Sequence, residues 1–209
     1  MERFYIYILL FALCIQTYAQ QMKKLNDVDA FKKKIEQTAS SVKSIESDFT
    51  QIKHLDIFDD NITSKGKFYY KHNDKICLEY TTPAKYLIVI NGEKLKIVSD
   101  GKKNVMSLNS NKVMKEMRGM LTACMSGNIT EVSGYQMDFF ENAQQYLVKI
   151  KPTNKSVQEY ISGFDIYFDK KDLSVTKLRI SEAGNNYTDY LFANKKFNSL
   201  NDEKKFAVN

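Results

Sequence analysis

The chain has 209 residues, of which 43% are hydrophobic and 27% charged, a balance that excludes an intrinsically disordered protein. It contains 8 glycines and 2 prolines but 13 tyrosines and 13 phenylalanines, a composition typical of β-strands. The net charge of +6 is mild, and the lysine pairs are scattered along the chain, which argues against a partner nucleic acid.

The N-terminal segment has the pattern of a secretory signal peptide. An apolar run from Phe4 to Ile15 follows a short charged start and precedes small residues at the cleavage positions. We predict cleavage after Ala19, so that residues 1–19 are removed and the mature chain begins at Gln20. Leu13, a large residue before Cys14, argues against lipid attachment to that cysteine. An uncleaved anchor is the alternative, but the apolar run is short for a membrane span.

The next segment, residues 27–47, has the period of an amphipathic helix. Its apolar residues recur at steps of three and four: Val28, Phe31, Ile35, Ala39 and Val42. Lysine and glutamate side chains fill the opposite face. Asp27 is the expected N-cap.

After this helix the apolar period falls to two, which predicts β-strands almost to the end of the chain. The predicted strands are residues 47–57, 63–72, 75–81, 86–91, 94–99, 103–108, 134–140, 145–152, 161–169, 173–182 and 186–194. Tight turns such as Asn91-Gly92 and Asp100-Gly101 make neighbouring strands antiparallel. We therefore predict a mainly β (α+β) fold in which one sheet of about eleven strands curls into a barrel or a half-barrel. No linker divides residues 20–209, so they form a single domain.

Alternation along these strands assigns one broad apolar face to the inside of the curled sheet. The inward residues are Phe49, Phe68, Tyr70, Ile76, Leu78, Tyr80, Leu87, Val89, Leu95, Ile97, Phe164, Ile166, Phe168, Leu178, Ile180, Tyr190 and Phe192. Such a face is either a packed core or the lining of a cavity for an apolar ligand.

The stretch 112–130 interrupts the strands with a short helix rich in methionine. Its apolar residues are Met114, Met117, Met120, Leu121, Cys124 and Met125. Methionine is flexible and polarisable and suits contact with ligands of variable shape, although it also fills gaps in cores. The helix is therefore predicted either to form a lid over the open sheet or to plug its core.

The two cysteines of the mature chain are predicted to be free thiols. Strand parity places Cys77 beside Glu79 on the outer face, whereas Cys124 belongs to the methionine-rich helix on the inner side. A disulfide needs Cα atoms within about 7 Å, which this arrangement does not offer. We expect Cys77 to be equally reactive with and without a ligand.

Five segments together resemble a known protein family. In chain order they are Ser47-Asp-Phe-Thr-Gln51, Gly66-Lys-Phe-Tyr-Tyr70, Leu78-Glu-Tyr-Thr-Thr-Pro83, Tyr86-Leu-Ile-Val-Ile-Asn-Gly92 and Phe192-Ala-Asn-Lys-Lys-Phe197, with Asp202 and Phe206 after them. Their order and spacing resemble the periplasmic outer-membrane lipoprotein carriers, the LolA family. The start at Gln20 resembles secreted proteins of the Bacteroidetes.

The resemblance implies an incomplete antiparallel barrel closed by helices, with an apolar cavity that shields the acyl chains of lipoproteins. It implies a monomeric periplasmic carrier without a cofactor. Its partners would be acylated lipoproteins or other lipids, a release complex at the inner membrane and an acceptor at the outer membrane. Family members often carry Arg-Pro where this chain has His72-Asn73. That arginine is thought to hold the lid closed, so His72 is a candidate for a weaker latch.

The residues do not predict an enzyme. Neither His54 nor His72 has the spacing of a metal ligand, and no nucleophile elbow or phosphate-binding loop occurs. Two alternatives to the lipoprotein carrier stay open. One is a related carrier of another lipid, such as a glycolipid or pigment lipid, and the other is a structural β-protein with a filled core.

Overall fold

The computed structural model describes residues 21–58, 60–72, 75–126, 129 and 133–209, and of residues 124–126 it describes only the backbone. The predicted signal peptide, residues 1–19, lies outside this part. The described chain forms one curled, open, antiparallel sheet with a few helices, which confirms the predicted mainly β fold. Twelve strands follow the order β1-β8-β9-β10-β11-β12-β2-β3-β4-β5-β6-β7.

The strands are β1 Lys23–Lys24, β2 Ser44–His54, β3 Ile62–Lys71, β4 Lys75–Thr82, β5 Tyr86–Asn91, β6 Lys94–Ser99, β7 Lys102–Ser107, β8 Tyr135–Glu141, β9 Gln145–Pro152, β10 Ile161–Asp169, β11 Val175–Glu182 and β12 Tyr187–Phe197. The α-helices are α1 Val28–Ser40, α2 Lys112–Ser126 and α3 Lys155–Gln158. Short 3₁₀ turns cover Leu108–Ser110 and Lys204–Phe206. The strand missing from the prediction is β1, which is too short to show a period.

The first helix is shorter than its apolar period predicts. Asp27 caps it as expected, since its carboxylate accepts a hydrogen bond from the Ala30 N–H at 2.9 Å. The predicted end at residue 47 is wrong, because α1 ends at Ser40 and β2 begins at Ser44. Ser44 pairs with Lys71 of β3, a partner that is distant in the chain and invisible to a local period.

The two faces of the sheet have different covers. We call the face beneath α1 and α2 the inner face, and the opposite face the outer face. Phe31 of α1 packs its ring against Phe139, Tyr146 and Phe168, with ring centroids 4.6–6.0 Å apart. The helix is thereby seated on the inner face of β8, β9 and β10 by aromatic contacts.

On the outer face, residues 198–208 fold back across β3, β4 and β5, and we call them the C-terminal strap. Phe206 is 1% exposed and packs with Tyr69, Cys77 and Val89. Glu79 forms an ion pair with Lys205 at 2.7 Å. The strap therefore turns part of the outer face into a second small core.

The strap also has an electrostatic anchor at the turn between β3 and β4. The Glu203 carboxylate lies 2.8 Å from the Lys71 amine and 2.5 Å from the Lys75 amine. Hydrogen bonds from these two lysines lower the pKa of Glu203 to about 2. The carboxylate is accordingly ionised at all but strongly acidic pH, as its ion pairs with the two lysines require.

One prediction about this region is wrong. Leu87 and Val89 were assigned to the inner face, but Ile88 and Ile90 occupy that face and Leu87 and Val89 face the strap. Every residue from 87 to 90 is apolar, so alternation could not select a face. Cys77 lies on the outer face as predicted, yet it is fully buried by the strap, and burial raises the pKa of its thiol to about 12.

Removing the Phe206 ring, which packs on Cys77, should expose this thiol. In a Phe206→Ala variant we expect the free energy of unfolding to fall by about 3 kcal/mol, because a fully buried aromatic ring is lost. Cys77 should then react with a thiol reagent far faster than in the unaltered protein, as measured by mass spectrometry. Val105→Ala, at a side chain that is 41% exposed on β7, is the matched control. An unreactive Cys77 in the Phe206→Ala variant would show that the strap does not shield it.

Candidate functional site

The inner face brings most of the predicted site residues into one apolar cluster. Twelve of them are each no more than 3% exposed: Phe49, Phe68, Tyr70, Ile76, Leu78, Tyr80, Leu95, Phe164, Ile166, Phe168, Leu178 and Ile180. Ile97 is partly buried at the margin of the cluster. The cluster spans β2, β3, β4, β6, β10 and β11, so the curl of the sheet collects side chains from strands that are distant in the sequence.

In this structure the inner face is packed. The cluster also contains Phe31 and Ile35 of α1 and Met117, Met120 and Leu121 of α2. The helix side chains occupy the space above the sheet that a ligand would need. Access to the inner face therefore requires at least one of the two helices to move.

The position of α2 follows from the topology of the sheet. β7 is one edge of the sheet and the two-residue strand β1, next to β8, is the other. Since α2 lies in the connection between β7 and β8, it spans the gap between the two edges of the open sheet, which we call the seam. It contacts both sides of that seam through polar side chains.

On one side of the seam, the Tyr135 hydroxyl of β8 donates a hydrogen bond to the Glu116 carboxylate of α2. Burial, together with this hydrogen bond, raises the pKa of Tyr135, so its hydroxyl keeps the proton that it donates. On the other side, the Arg118 guanidinium lies 3.6 Å from the carboxylate of Glu93, a residue of the turn between β5 and β6. None of the four residues could be recognised from the sequence, because Glu116, Arg118 and Glu93 resemble ordinary surface charges and Tyr135 an ordinary strand tyrosine.

The lid side chains predicted from the sequence face the sheet where they are described. Met117 and Met120 are each 1% exposed and Leu121 is 3% exposed, while Met114 is partly buried against the same cluster. The side chains of Cys124 and Met125 lie outside the described residues. The α2 side chains that are seen to cover the cluster are therefore three methionines, Leu121 and the partly buried Val113.

His72, the predicted latch, lies elsewhere. It is exposed in the turn after β3, where its N–H donates to the Lys43 carbonyl at 2.9 Å. The surface hollow that it lines is formed by Ser40, Val42, Lys43, Lys71, Lys75 and Glu203, and none of these belongs to α2. A latch role for His72 stays a prediction.

One part of the inner face carries a group of tyrosines. The rings of Tyr80 and Tyr86 stack with their centroids 3.9 Å apart, and Phe49 meets Tyr80 edge-on at 4.9 Å. The Tyr80 hydroxyl is in hydrogen-bonding contact with the hydroxyls of Tyr86 and Tyr190. Burial raises the pKa of Tyr190 to about 12, so this group is neutral at physiological pH.

The described residues contain no cluster of three or more His, Cys, Asp or Glu side chains suited to a metal ion. None of the helices in the described part of the chain has both the length and the apolar character needed to cross a membrane.

A comparison with protein-family models identifies this arrangement. The model described as outer membrane lipoprotein carrier protein LolA matches residues 40–209. The chain belongs to the LolA family. The match begins at the last residue of α1 and includes every strand from β2 onward, together with α2 and the strap. Membership of the LolA family supports a role in carrying lipids or lipoproteins.

The solved structures that match the chain are remote in sequence. A LolA superfamily protein from Nitrosomonas europaea is 11% identical, with 84% of this chain and 96% of that chain covered and a TM-score of 0.45. A putative outer membrane lipoprotein-sorting protein domain from Vibrio parahaemolyticus is 12% identical, with coverages of 86% and 94% and a TM-score of 0.47. The lipoprotein LppX of Mycobacterium tuberculosis is 10% identical, with coverages of 85% and 99% and a TM-score of 0.47. No curated protein sequence matches the chain.

Proposed function

We propose that this LolA-family protein is a periplasmic carrier that shields the acyl chains of lipoproteins and takes them from the inner to the outer membrane. The observation that carries the proposal is the broad apolar inner face whose seam is covered by the methionine-rich helix α2. Its partners would be acylated lipoproteins, a release complex at the inner membrane and an acceptor at the outer membrane. The transfer requires no covalent chemistry.

The need for such a carrier follows from the hydrophobic effect. Each methylene exposed to water costs about 0.8 kcal/mol, so a protein bearing several acyl chains cannot cross an aqueous compartment unshielded. In the proposed cycle, α2 leaves the inner face so that this face can take over the burial. The apolar surface that α2 uncovers is then covered again by the acyl chains, so opening and loading compensate each other.

The contacts of α2 suit a cover that opens and closes. The Glu93 side chain is 65% exposed, so its ion pair with Arg118 contributes at most about 1 kcal/mol. The hydrogen bond from Tyr135 to the Glu116 carboxylate is partly buried, and bonds of this charged kind contribute about 1.5–3 kcal/mol. The methionine side chains can repack around acyl chains of different shapes. Closure by such contacts is reversible, as release of the cargo demands.

Dye displacement tests the proposal on the unaltered protein. A fluorescent apolar dye should bind with a blue-shifted emission, and a triacylated lipopeptide should displace it, whereas the same peptide without acyl chains should not. If a glycolipid or a pigment lipid displaces the dye and the lipopeptide does not, the protein carries another lipid. If no dye binds at all, the structure is that of a β-protein with a permanently filled core.

A further inference from the structure

The inner face is not uniformly apolar, because strand β2 places two buried polar atoms without a hydrogen-bond partner on it. Ser47 lies between Ile45 and Phe49 on this face and is 1% exposed. Its hydroxyl has no hydrogen-bond partner among the described residues. The enclosed Oε1 atom of Gln51, two residues beyond Phe49 on the same face, likewise has none.

Unpaired buried polar atoms call for an explanation, since they have lost their hydrogen bonds to water without replacing them. Ser44, three residues before Ser47, shows the ordinary arrangement. It is also buried, but its hydroxyl accepts a hydrogen bond from the Leu200 N–H at 3.2 Å. The same strand therefore holds one buried serine with a partner and one without, and the one without faces the candidate cargo site.

The polar groups of the inner face are concentrated near β2. Gln51 pairs in register with Tyr190 of β12, whose hydroxyl is in contact with that of Tyr80. By contrast, the inward residues in the middle of β10 and β11 are apolar: Phe164, Ile166, Phe168, Leu178 and Ile180. A bound molecule would thus meet hydrogen-bonding groups along β2 and hydrocarbon along β10 and β11.

We propose that Ser47 and Gln51 determine specificity by hydrogen-bonding the ester and amide groups that join acyl chains to the head of the cargo. The Ser47 hydroxyl would donate to an ester carbonyl oxygen, and the Gln51 Oε1 atom would accept from the N–H of an amide-linked chain. The two positions are four residues apart, about 13 Å along the strand, so they would meet different linkages of one cargo molecule. This inference rests on the proposed carrier function and names the chemical class of its ligand.

A pair of lipids that differ only in their linkage tests the inference. A diacyl ester lipid and the dialkyl ether lipid with the same head and chain length compete for the bound dye, because an ether lacks the carbonyl acceptor. We expect the ester lipid to bind the unaltered protein at least about threefold more tightly than the ether lipid. Ser47→Ala should remove this preference. Gln51→Leu should weaken binding of an N-acylated lipopeptide relative to its counterpart with a methylated amide nitrogen.

The stability of two serine variants provides an independent readout. Ser47→Ala should raise the urea midpoint of the ligand-free protein, because it removes an unpaired buried hydroxyl. Ser44→Ala should lower the midpoint, because it breaks the bond to Leu200. If Ser47→Ala also lowers the midpoint, the hydroxyl has a structural partner and the inference is overturned.

The outcomes separate the inference from the carrier function. Equal binding of the ester and ether lipids by the unaltered protein would overturn the inference and leave an apolar carrier without linkage specificity. Failure of both lipids and of the lipopeptide to displace the dye would overturn the carrier function, and the inference with it.

Discussion

A Met120→Cys variant, combined with Cys124→Ser, should react with a thiol reagent at least about tenfold faster once an acylated lipopeptide is added. The reason is the position of Met120, which lies on the side of α2 that packs on the apolar cluster and is 1% exposed in the closed structure. In the proposed transport cycle, cargo that occupies the inner face displaces α2 and leaves position 120 accessible for part of the time. Labelling is followed by mass spectrometry, which distinguishes the two thiols of the variant.

Cys77 is the internal control for this experiment. It is fully buried on the outer face, beneath the strap, and its reaction should stay slow in both states. Faster labelling of both cysteines would indicate unfolding instead of lid opening. Equal labelling of position 120 with and without lipopeptide would mean that α2 is a fixed core helix.

The same variant measures the contribution of the Tyr135 hydrogen bond. Adding Tyr135→Phe removes the donor to Glu116 and should accelerate labelling at position 120 in the absence of cargo. A loss of about 1.5 kcal/mol in closing free energy corresponds to roughly a tenfold faster reaction. Tyr160→Phe is the matched control, since it keeps the ring that the Lys112 amine approaches at 4.7 Å. An unchanged rate in Tyr135→Phe would remove this hydrogen bond from the closing contacts.

Gly66→Ala should lower the free energy of unfolding by roughly 3 kcal/mol or more, because β3 has no room for a side chain at this position. A Cβ atom at this position would lie 2.1 Å from the Glu79 carbonyl oxygen and 2.8 Å from the Phe49 ring. The backbone of β4 would have to shift, and so would the Phe49 ring of β2, which packs against Tyr80.

Urea unfolding followed by far-UV circular dichroism measures this loss, which suits a chain without tryptophan. Gly119→Ala is the matched control, since Gly119 lies on the exposed side of α2 and a Cβ there would meet nothing within 4 Å. Alanine is the better helix former, so the control should be more stable by about 0.5–1 kcal/mol. A Gly66→Ala variant as stable as the unaltered protein would mean that β3 and β4 separate easily at this point.

Most of the fold could be predicted from the sequence, because strands and hairpins are local features. The predicted bounds of β5, β6, β9 and β10 agree with the structure to the residue. At the turn between β6 and β7, Asp100 and Gly101 both have positive φ, as the Asp-Gly pair predicts. The LolA family assignment also followed from segments of the sequence alone, and the family model confirms it.

The faces of the strands were predictable only where polar and apolar residues alternate. In β4, Ile76, Leu78 and Tyr80 alternate with other residues, and all three lie on the inner face as predicted. In β5 every residue from 87 to 90 is apolar, and both faces of the strand are in fact covered. Alternation reports which side of a strand meets water, so it carries no information when neither side does.

The cover of the candidate site was decided by the tertiary structure. In the sequence, Glu116 and Arg118 resemble surface charges of a helix. In the folded chain, Glu116 contacts Tyr135 and Arg118 contacts Glu93, two residues that lie outside this helix. The burial of Cys77 depends in the same way on Phe206, which lies far along the chain. Local period and turn residues predict most of the strands, their antiparallel pairing across hairpins and most of the apolar inner surface. Contacts between elements distant in the chain determined which residues cover that surface, since no local pattern encodes which distant side chains will meet.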